Sequence, residues 1–299
     1  MLEELRELWR FRYLLQMLVA RELKVRYKNS FLGFAWSIVP PALSVIVITY
    51  CVKGALGVGV HNYSAYLLCG IIPWTFFSTA VLDTSQSLLV NYGVIKKVYL
   101  PREVIPIAIV ISNFVHFVLG WVVYFSAFLV LFPIIHRINP HFDLVGTPLL
   151  PRMAWFPFIV LAELILVTGF SLWSAALNMF YEDVKFILQT LFSLVYFVLP
   201  ILYIADVVRY SGLMRDRPWL YNLYMLNPVP AVITAFRAAL LEPAMPQEFN
   251  KSLAALHPTP TSVPVPPMVY LGAFLISAFI AWSGYAYFNS CKWRFVERS

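Results

Sequence analysis

The chain has 299 residues, of which 61% are hydrophobic and only 12% are charged, against about 25% charged in soluble domains. This composition excludes a soluble globular domain and indicates one integral membrane unit. The net charge of +7 comes without a basic stripe interleaved with aromatic residues, so we expect it to face anionic membrane lipids and expect no nucleic acid partner.

Residues 1–33 precede the first long apolar stretch. Leu2, Leu5, Leu8 and Trp9 recur at helical spacing between charged residues, which predicts an amphipathic helix over residues 2–12 in the membrane interface. Four cations follow: Arg21, Lys24, Arg26 and Lys28. Two interpretations of them remain open, a binding site for a diphosphate headgroup and simple electrostatic anchoring.

Six apolar stretches are long enough to cross the hydrocarbon core, which takes about 20 helical residues. They lie at about 34–54, 65–89, 104–132, 154–180, 184–205 and 267–290. The chain is therefore predicted to be an all-α integral membrane protein, with a single six-helix transmembrane domain over 34–290 and a tail over 291–299. Pro40 and Pro41 should bend or loosen the first span.

Lys and Arg are concentrated in the N-terminal segment, the second-to-third connection and the tail. The positive-inside rule therefore places both termini in the cytoplasm. Between the fifth and sixth spans, Trp219 to Leu226 and Ala231 to Leu241 are apolar but too short to cross, and residues 227–230 separate them. This pattern predicts two short re-entrant helices at the outer leaflet, within about 213–245.

Aromatic residues recur on one face of two predicted spans. They are Trp36 and Tyr50 in the first, with Leu43 between them, and Phe192, Tyr196 and Tyr203 in the fifth. Such rings either pack against neighbours and lipid or line a channel, where sugar rings could slide along them. Both interpretations remain open.

Two polar residues interrupt the apolar spans. Glu163, in the fourth, is either a functional group or reaches the interface near the outer end of its helix. His116, in the third, is expected to bond a neighbouring helix. The chain has no GxxxxGK[ST], HExxH or GxSxG motif and no paired cysteines, so we expect no metal site, and ATP-driven work would need a partner chain.

Four segments resemble one family in order along nearly the whole chain. They are Arg21–Gly33 continued by Phe34–Pro41, then Lys96–Pro106, then Tyr181–Val184, and finally Leu226–Pro228 with Ala235–Arg237. Together they are similar to the ABC-2 type export permeases for lipid-linked polysaccharides, the O-antigen and teichoic acid exporters. The chain departs from the family at Glu182, where relatives more often carry Arg, and in the long connection over 133–153.

The resemblance implies a transport subunit rather than an enzyme, in the bacterial cytoplasmic membrane. It would form a homodimer with two separate ATPase subunits, which bind ATP and Mg²⁺, and this chain would hold no cofactor. The substrate would be an undecaprenyl-diphosphate-linked glycan or teichoic acid. By the same resemblance the ATPase contacts are Lys96, Lys97, Arg102, Glu182 and Asp183, the outer gate contains Asn227, Pro228 and Arg237, and the two aromatic faces line the channel.

Two other classes stay open. A membrane-embedded glycosyl or acyl transferase would need carboxylates or histidines clustered at a cavity. A proton-coupled flippase for lipid-linked glycans would work without any ATPase and would depend on Glu163 or Asp83.

Overall fold

A computed structural model describes residues 9–28, 30, 31, 33, 36, 38–52, 63–97, 100–138, 150–203, 205–209, 214, 217–241 and 267–296. Within these ranges the chain forms helices and turns and no strand. The predicted interfacial helix over 2–12 lies largely outside them, as does the connection over 139–149. The domain boundaries at residues 33 and 290 stay predictions.

The described helices follow one another along the whole chain. In order they are α1 (Arg12–Arg26), α2 (Val39–Tyr50), α3 (Tyr63–Val90), α4 (Tyr92–Lys97), α5 (Val104–Ile138), α6 (Leu150–Met153), α7 (Phe156–Phe180), α8 (Val184–Val198), α9 (Ala205–Arg209), α10 (Pro218–Leu226), α11 (Pro228–Leu240) and α12 (Pro267–Cys291). A 3₁₀ segment, Lys292–Val296, ends the described chain; we call it the tail segment.

Four of the described helices are long and apolar enough to cross a membrane: α3, α5 over Val104–Ser126, α7 and α12. They correspond to the predicted second, third, fourth and sixth spans. The helices α10 and α11 form a further apolar unit, bent by 90°. The predicted first and fifth spans contain α2 and α8, with only 12 and 15 residues. At about 1.5 Å per residue, both are shorter than a ~30 Å hydrocarbon core.

Prolines explain why α2 and α8 are short. Pro40 and Pro41 lie in the first turn of α2, where their missing N–H groups have no helical partner to lose. These prolines therefore start the described helix instead of bending it from within, while residues 34, 35 and 37 of the predicted span lie outside the described residues. At the other short helix, Pro200 keeps Leu199 out of the helical region, at φ −74° and ψ 148°, and α8 ends one residue earlier.

The helices α7 and α12 touch at a crossing that contains two glycines. A Cβ atom on Gly169 would lie 2.6 Å from the Cα of Ala281, and one on Gly284 would overlap the carbonyl oxygen of Gly169. Small residues at such a crossing let two backbones touch, which is how helices associate where both lipid and side chains are apolar.

Buried apolar side chains form two main groups along the bundle. The larger group joins the first part of α3 to α5 and α11. The smaller one contains Leu88, Met179, Phe288 and Phe295, with Leu18 of α1 packed against it. It lies where α3, α7 and α12 end and α5 begins, and we call this the tail end of the bundle. The opposite end, with α11, is the bent-pair end.

We predict that Gly284→Ala destabilises the protein by separating α7 from α12. Forcing an extra methyl group into a close-packed contact costs about 1–3 kcal/mol. The loss should appear as a lower temperature of aggregation for the detergent-solubilised protein. The control is Gly93→Ala in α4, where an added Cβ would meet no atom within 4 Å; equal stability of the two variants would contradict the assigned crossing.

Candidate functional site

The tail end brings together the residues predicted to contact an ATPase. Lys96 and Lys97 are exposed at the end of α4, and the Lys96 Nζ lies 4.5 Å from the centre of the Tyr92 ring. Glu182 and Asp183 are exposed in the turn between α7 and α8. Two separate connections therefore present charged side chains at the same end of the bundle.

The fifth predicted contact, Arg102, lies against the tail segment. Its guanidinium carbon is 5.4 Å from the centre of the Trp293 ring, and its enclosed Nη1 makes no hydrogen bond with the described residues. Partial burial lowers the pKa of Arg102, while the adjacent Glu103 carboxylate acts to raise it. An arginine remains charged under both influences at neutral pH, so this end keeps a cation with a free donor.

The pair formed by Glu103 and Lys292 was not predicted from the sequence. The Lys292 Nζ lies 3.3 Å from the Glu103 Oε1, and Glu103 is only 3% exposed. A buried carboxylate needs a partner, because an uncompensated charge in such a place is strongly destabilising. Glu103 lies inside the segment Lys96–Pro106 that carried the family resemblance, but the sequence offers no signal that joins it to a residue 189 positions later.

The helix α1 is held on the bundle by its last residues. Arg26 donates from Nη2 to the Asp83 Oδ2 at 2.5 Å and from Nη1 to the Asn113 Oδ1 at 3.0 Å. The Tyr27 hydroxyl lies 3.1 Å from the His116 Nδ1, which confirms the hydrogen-bonding role expected of His116. Arg26 therefore attaches α1 to α3 and α5.

The four predicted headgroup cations differ in their surroundings. Arg21 donates to the Glu22 carboxylate at 2.7 Å and to the Asn91 Oδ1 at 2.9 Å, and Arg26 is engaged as described. Lys24 and Lys28 are exposed and form no ion pair within the described part of the chain. If this segment binds an anion, these two lysines offer the charges that the fold does not already use.

The two aromatic faces also differ. Trp36, Leu43 and Tyr50 are all exposed. Leu43 and Tyr50 lie on α2 and Trp36 precedes it, which agrees with a single outward face. Phe192 and Tyr196 instead turn inward, with ring centres 5.7 Å and 6.4 Å from that of Trp74 on α3. These contacts favour packing as the role of both.

The outward face of α8 carries other side chains than the predicted rings. Apolar Phe186, Leu194 and Phe197 are exposed there, and polar Gln189 and Ser193 are exposed beside them. Tyr203, the third predicted ring of this face, follows the helix and donates its hydroxyl to the carbonyl oxygen of Val198.

The bent pair α10–α11 turns on one residue. The Asn227 Oδ1 accepts a hydrogen bond from the Val229 N–H at 3.1 Å, and this cap satisfies one of the free donors at the start of α11. The predicted four-residue separator is thus reduced to Asn227, because Pro228 and Pro230 lie in the first turn of the second helix, where proline is favoured.

Arg237 attaches α11 to the bent-pair end of the bundle. Its side chain is buried, with 6% exposed. The Nε donates to the Tyr66 carbonyl oxygen at 3.2 Å, and the Nη1 donates to the Tyr66 hydroxyl at 2.8 Å and to the Pro200 carbonyl oxygen. The Nη2 donates to the Ile201 carbonyl oxygen at 2.8 Å. A Cβ on Gly70 would lie 2.7 Å from the Nη2. Glycine at position 70 therefore leaves the room that this guanidinium occupies.

Glu163, on α7, lies against α3 and α11. It is 2% exposed, its Oε2 has no hydrogen-bond partner in the described chain, and it lines a small cavity with Trp74, Val229 and Ile233 among others. The expectation that it reaches the interface is wrong, since α11 and α3 cover it. No group of three or more side chains that could hold a metal ion occurs among the described residues.

We predict that Arg237→Met lowers the stability of the protein and that Arg237→Lys lowers it less. The methionine leaves four oxygens of Tyr66, Pro200 and Ile201 without their donor, and each buried unsatisfied group costs about 1–3 kcal/mol. Arg217→Met, at an exposed position just before α10, is the control. Thermal stability in detergent is the measurement, and equal loss in the Arg217 and Arg237 variants would contradict the attachment.

The family model of the ABC-2 type transporters matches residues 13–241. The chain is 26% identical over 297 residues to the O-antigen export system permease protein RfbA of Myxococcus xanthus, covering 99% of each. It is 26% identical over 291 residues to the protein of the same name in Klebsiella pneumoniae, covering 95% of each. To the polysialic acid transport protein KpsM of Escherichia coli it is 22% identical over 232 residues, covering 76% of this chain and 80% of the relative. The family match covers most of the chain, which therefore belongs to the ABC-2 type transporter family.

Proposed function

We propose that this chain is the membrane permease subunit of an ATP-driven exporter that carries a polysaccharide across the bacterial cytoplasmic membrane. The observation that carries the proposal is similarity from end to end to proteins named as O-antigen export permeases, over 99% and 95% of the chain. Four helices that can span a membrane support it.

The energy would come from two ATPase subunits encoded as a separate protein. The chain has no GxxxxGK[ST] phosphate loop, so ATP and Mg²⁺ would bind to those partners. We assign the tail end to the cytoplasm, because the N-terminal cations, Lys96 and Lys97 belong to the more basic set of connections. The ATPases would then contact α4 and the turn Tyr181–Asp183.

The functional unit would be a homodimer joined along α2 and α8. Both helices are too short to cross the hydrocarbon core. The polar backbone groups at their ends therefore need hydrogen-bonding partners, which lipid tails do not supply. Both also expose polar side chains, Ser44 on α2 and Gln189 and Ser193 on α8. A second copy facing them would cover the helix ends and enclose a path in which a hydrophilic polymer meets polar groups. Trp36 and Tyr50 would lie along that path.

The substrate would be a glycan linked to undecaprenyl diphosphate. Its apolar tail can remain in lipid, whereas the diphosphate needs replacement of its hydration by cationic groups. Lys24 and Lys28 are exposed beside Arg26, which attaches the end of α1 to α3 and α5, and this supports them as the headgroup contacts. The bent pair α10–α11 would close the outer side, with Asn227 and Arg237 setting its position.

Co-expression with an ABC-type ATPase, chosen from any neighbouring reading frame that encodes one, tests the proposal. A stable complex of two copies of each chain, with polymer export that requires ATP hydrolysis, is the expected result. Export without any ATPase that is lost in Glu163→Gln would instead identify a proton-coupled flippase. Polymer synthesis by the purified chain alone would identify a transferase.

We predict that Lys96→Glu combined with Lys97→Glu weakens binding of the ATPase, because both exposed lysines would face its surface. Reversing one charge pair across an interface costs several kcal/mol, enough to abolish copurification. Arg137→Glu, an exposed cation at the opposite end of α5, should leave the complex intact. Normal recovery of the ATPase with the double variant would rule out α4 as the contact.

We also predict that Lys24→Gln combined with Lys28→Gln reduces substrate-stimulated ATP hydrolysis and leaves basal hydrolysis unchanged. Loss of two charge-assisted contacts, each contributing about 1.5–3 kcal/mol, should raise the substrate concentration for half-maximal stimulation at least tenfold. Arg12→Gln, on the first turn of α1, is the control. An equal fall in basal and stimulated rates would indicate that the lysines only anchor the helix.

A further inference from the structure

The tail segment Lys292–Val296 folds back onto the bundle. Phe295 is fully buried, with its ring centre 5.5 Å from that of Phe288 in α12 and 5.7 Å from that of Phe180. Phe180 is the last residue of α7, directly before the turn Tyr181–Asp183. One end of the tail segment is therefore packed against the residue that leads into the turn between α7 and α8.

The other end of the tail segment contacts the connection between α3 and α5. Lys292 pairs with the buried carboxylate of Glu103 at 3.3 Å, and the Trp293 ring lies under the Arg102 guanidinium at 5.4 Å. Both partners directly precede α5. Trp293 is 70% exposed, so burial of its ring contributes little to holding it in place. The contact with Arg102 is what relates it to this connection.

A segment of five residues thus contacts Arg102 and Glu103, at the end of one connection, and Phe180, the residue directly before the other. These two connections, residues 92–103 and 181–183, present the predicted ATPase contacts. The first leads from α3 into α5 and the second from α7 into α8. Because Lys292 and Phe295 are separated by less than two turns of a 3₁₀ helix, they cannot move far apart. A displacement of Glu103 or of Phe180 must shift the tail segment, or break the ion pair or the ring contact.

We propose that the tail segment is a clamp that makes these two connections move together when the ATPases close. It rests on the proposed function, since the clamp has a role in transport only if ATPases bind at this end. Lys292, Glu103 and Phe295 would be positioning residues: they would not bind the ATPase, but would pass its displacement to α5 and α8 at the same time. The outward face of α8 would then move in step with the centre of the bundle.

The test uses the full complex of permease and ATPase in lipid vesicles. In Lys292→Gln, we expect normal copurification and normal basal ATP hydrolysis, with about tenfold less polymer exported per ATP, within the usual range of coupling between sites. Arg294→Gln removes the same charge from the neighbouring exposed position and should leave the ratio unchanged. The double variant Glu103→Lys with Lys292→Glu restores an ion pair and should recover much of the export.

Three results would overturn the clamp. They are an unchanged export ratio in Lys292→Gln, equal losses in the Lys292 and Arg294 variants, and loss of ATPase binding in Lys292→Gln, which would make the lysine a docking contact. If the wild-type chain binds no ATPase at all, the proposed function fails instead, and the two failures are distinguishable.

A measurement on the wild-type complex covers the case in which the variants do not fold. Hydrogen exchange in peptides containing residues 92–97 and 184–187 is followed as a non-hydrolysable ATP analogue is added. The clamp predicts that protection changes in both peptides over the same range of nucleotide concentration. Separate transitions would overturn it.

Discussion

In a bundle whose longest helices are mostly apolar, burial of apolar surface does not decide which faces meet, because lipid tails would cover those faces equally well. Close packing decides instead. Gly169 and Gly284 let α7 and α12 touch along their backbones, and α3 then packs against α7. Shape governs most contacts between the longest helices, although the Ser174 Oγ on α7 donates to the Val81 carbonyl oxygen on α3 and the Asn113 Nδ2 on α5 donates to the Asp83 Oδ2 on α3. Polar bonds also attach parts outside the longest helices.

Three such parts are attached in the same physical way. Each is held by cationic side chains that donate to oxygens on other elements: Arg21 and Arg26 in the helix α1, Arg237 in the helix α11 and Lys292 in the tail segment. The charged end of a long side chain can reach an oxygen on another helix, while its apolar stem packs on the neighbouring helices. The attachments differ in burial: Arg237 is enclosed, whereas Arg26 and Asp83 remain partly open to solvent.

The sequence predicted the four long spans well, since each is a charge-poor stretch of sufficient length and nothing competes with a helix in lipid. It also indicated the bend at Asn227 from two runs that were too short to cross. It placed the prolines at 40, 41 and 200 inside spans, where they instead end or begin helices. It offered no means of pairing Arg26 with Asp83, Arg237 with Tyr66 or Lys292 with Glu103, because contacts between residues so far apart depend on which helices become neighbours. For the same reason, the inward turn of Phe192 and Tyr196 was not visible from their spacing.

The oxygens that hold Arg237 belong to residues 66, 200 and 201, all of which leave the ribosome before the arginine does. A guanidinium among lipid tails is costly without such partners, so α11 gains its acceptors only when α3 and the end of α8 are already in the membrane. The helix that closes against α7 through the glycines, α12, comes later still. The direction of synthesis thus matches the direction in which the bundle can be completed, with each late segment meeting a surface that earlier segments have already built.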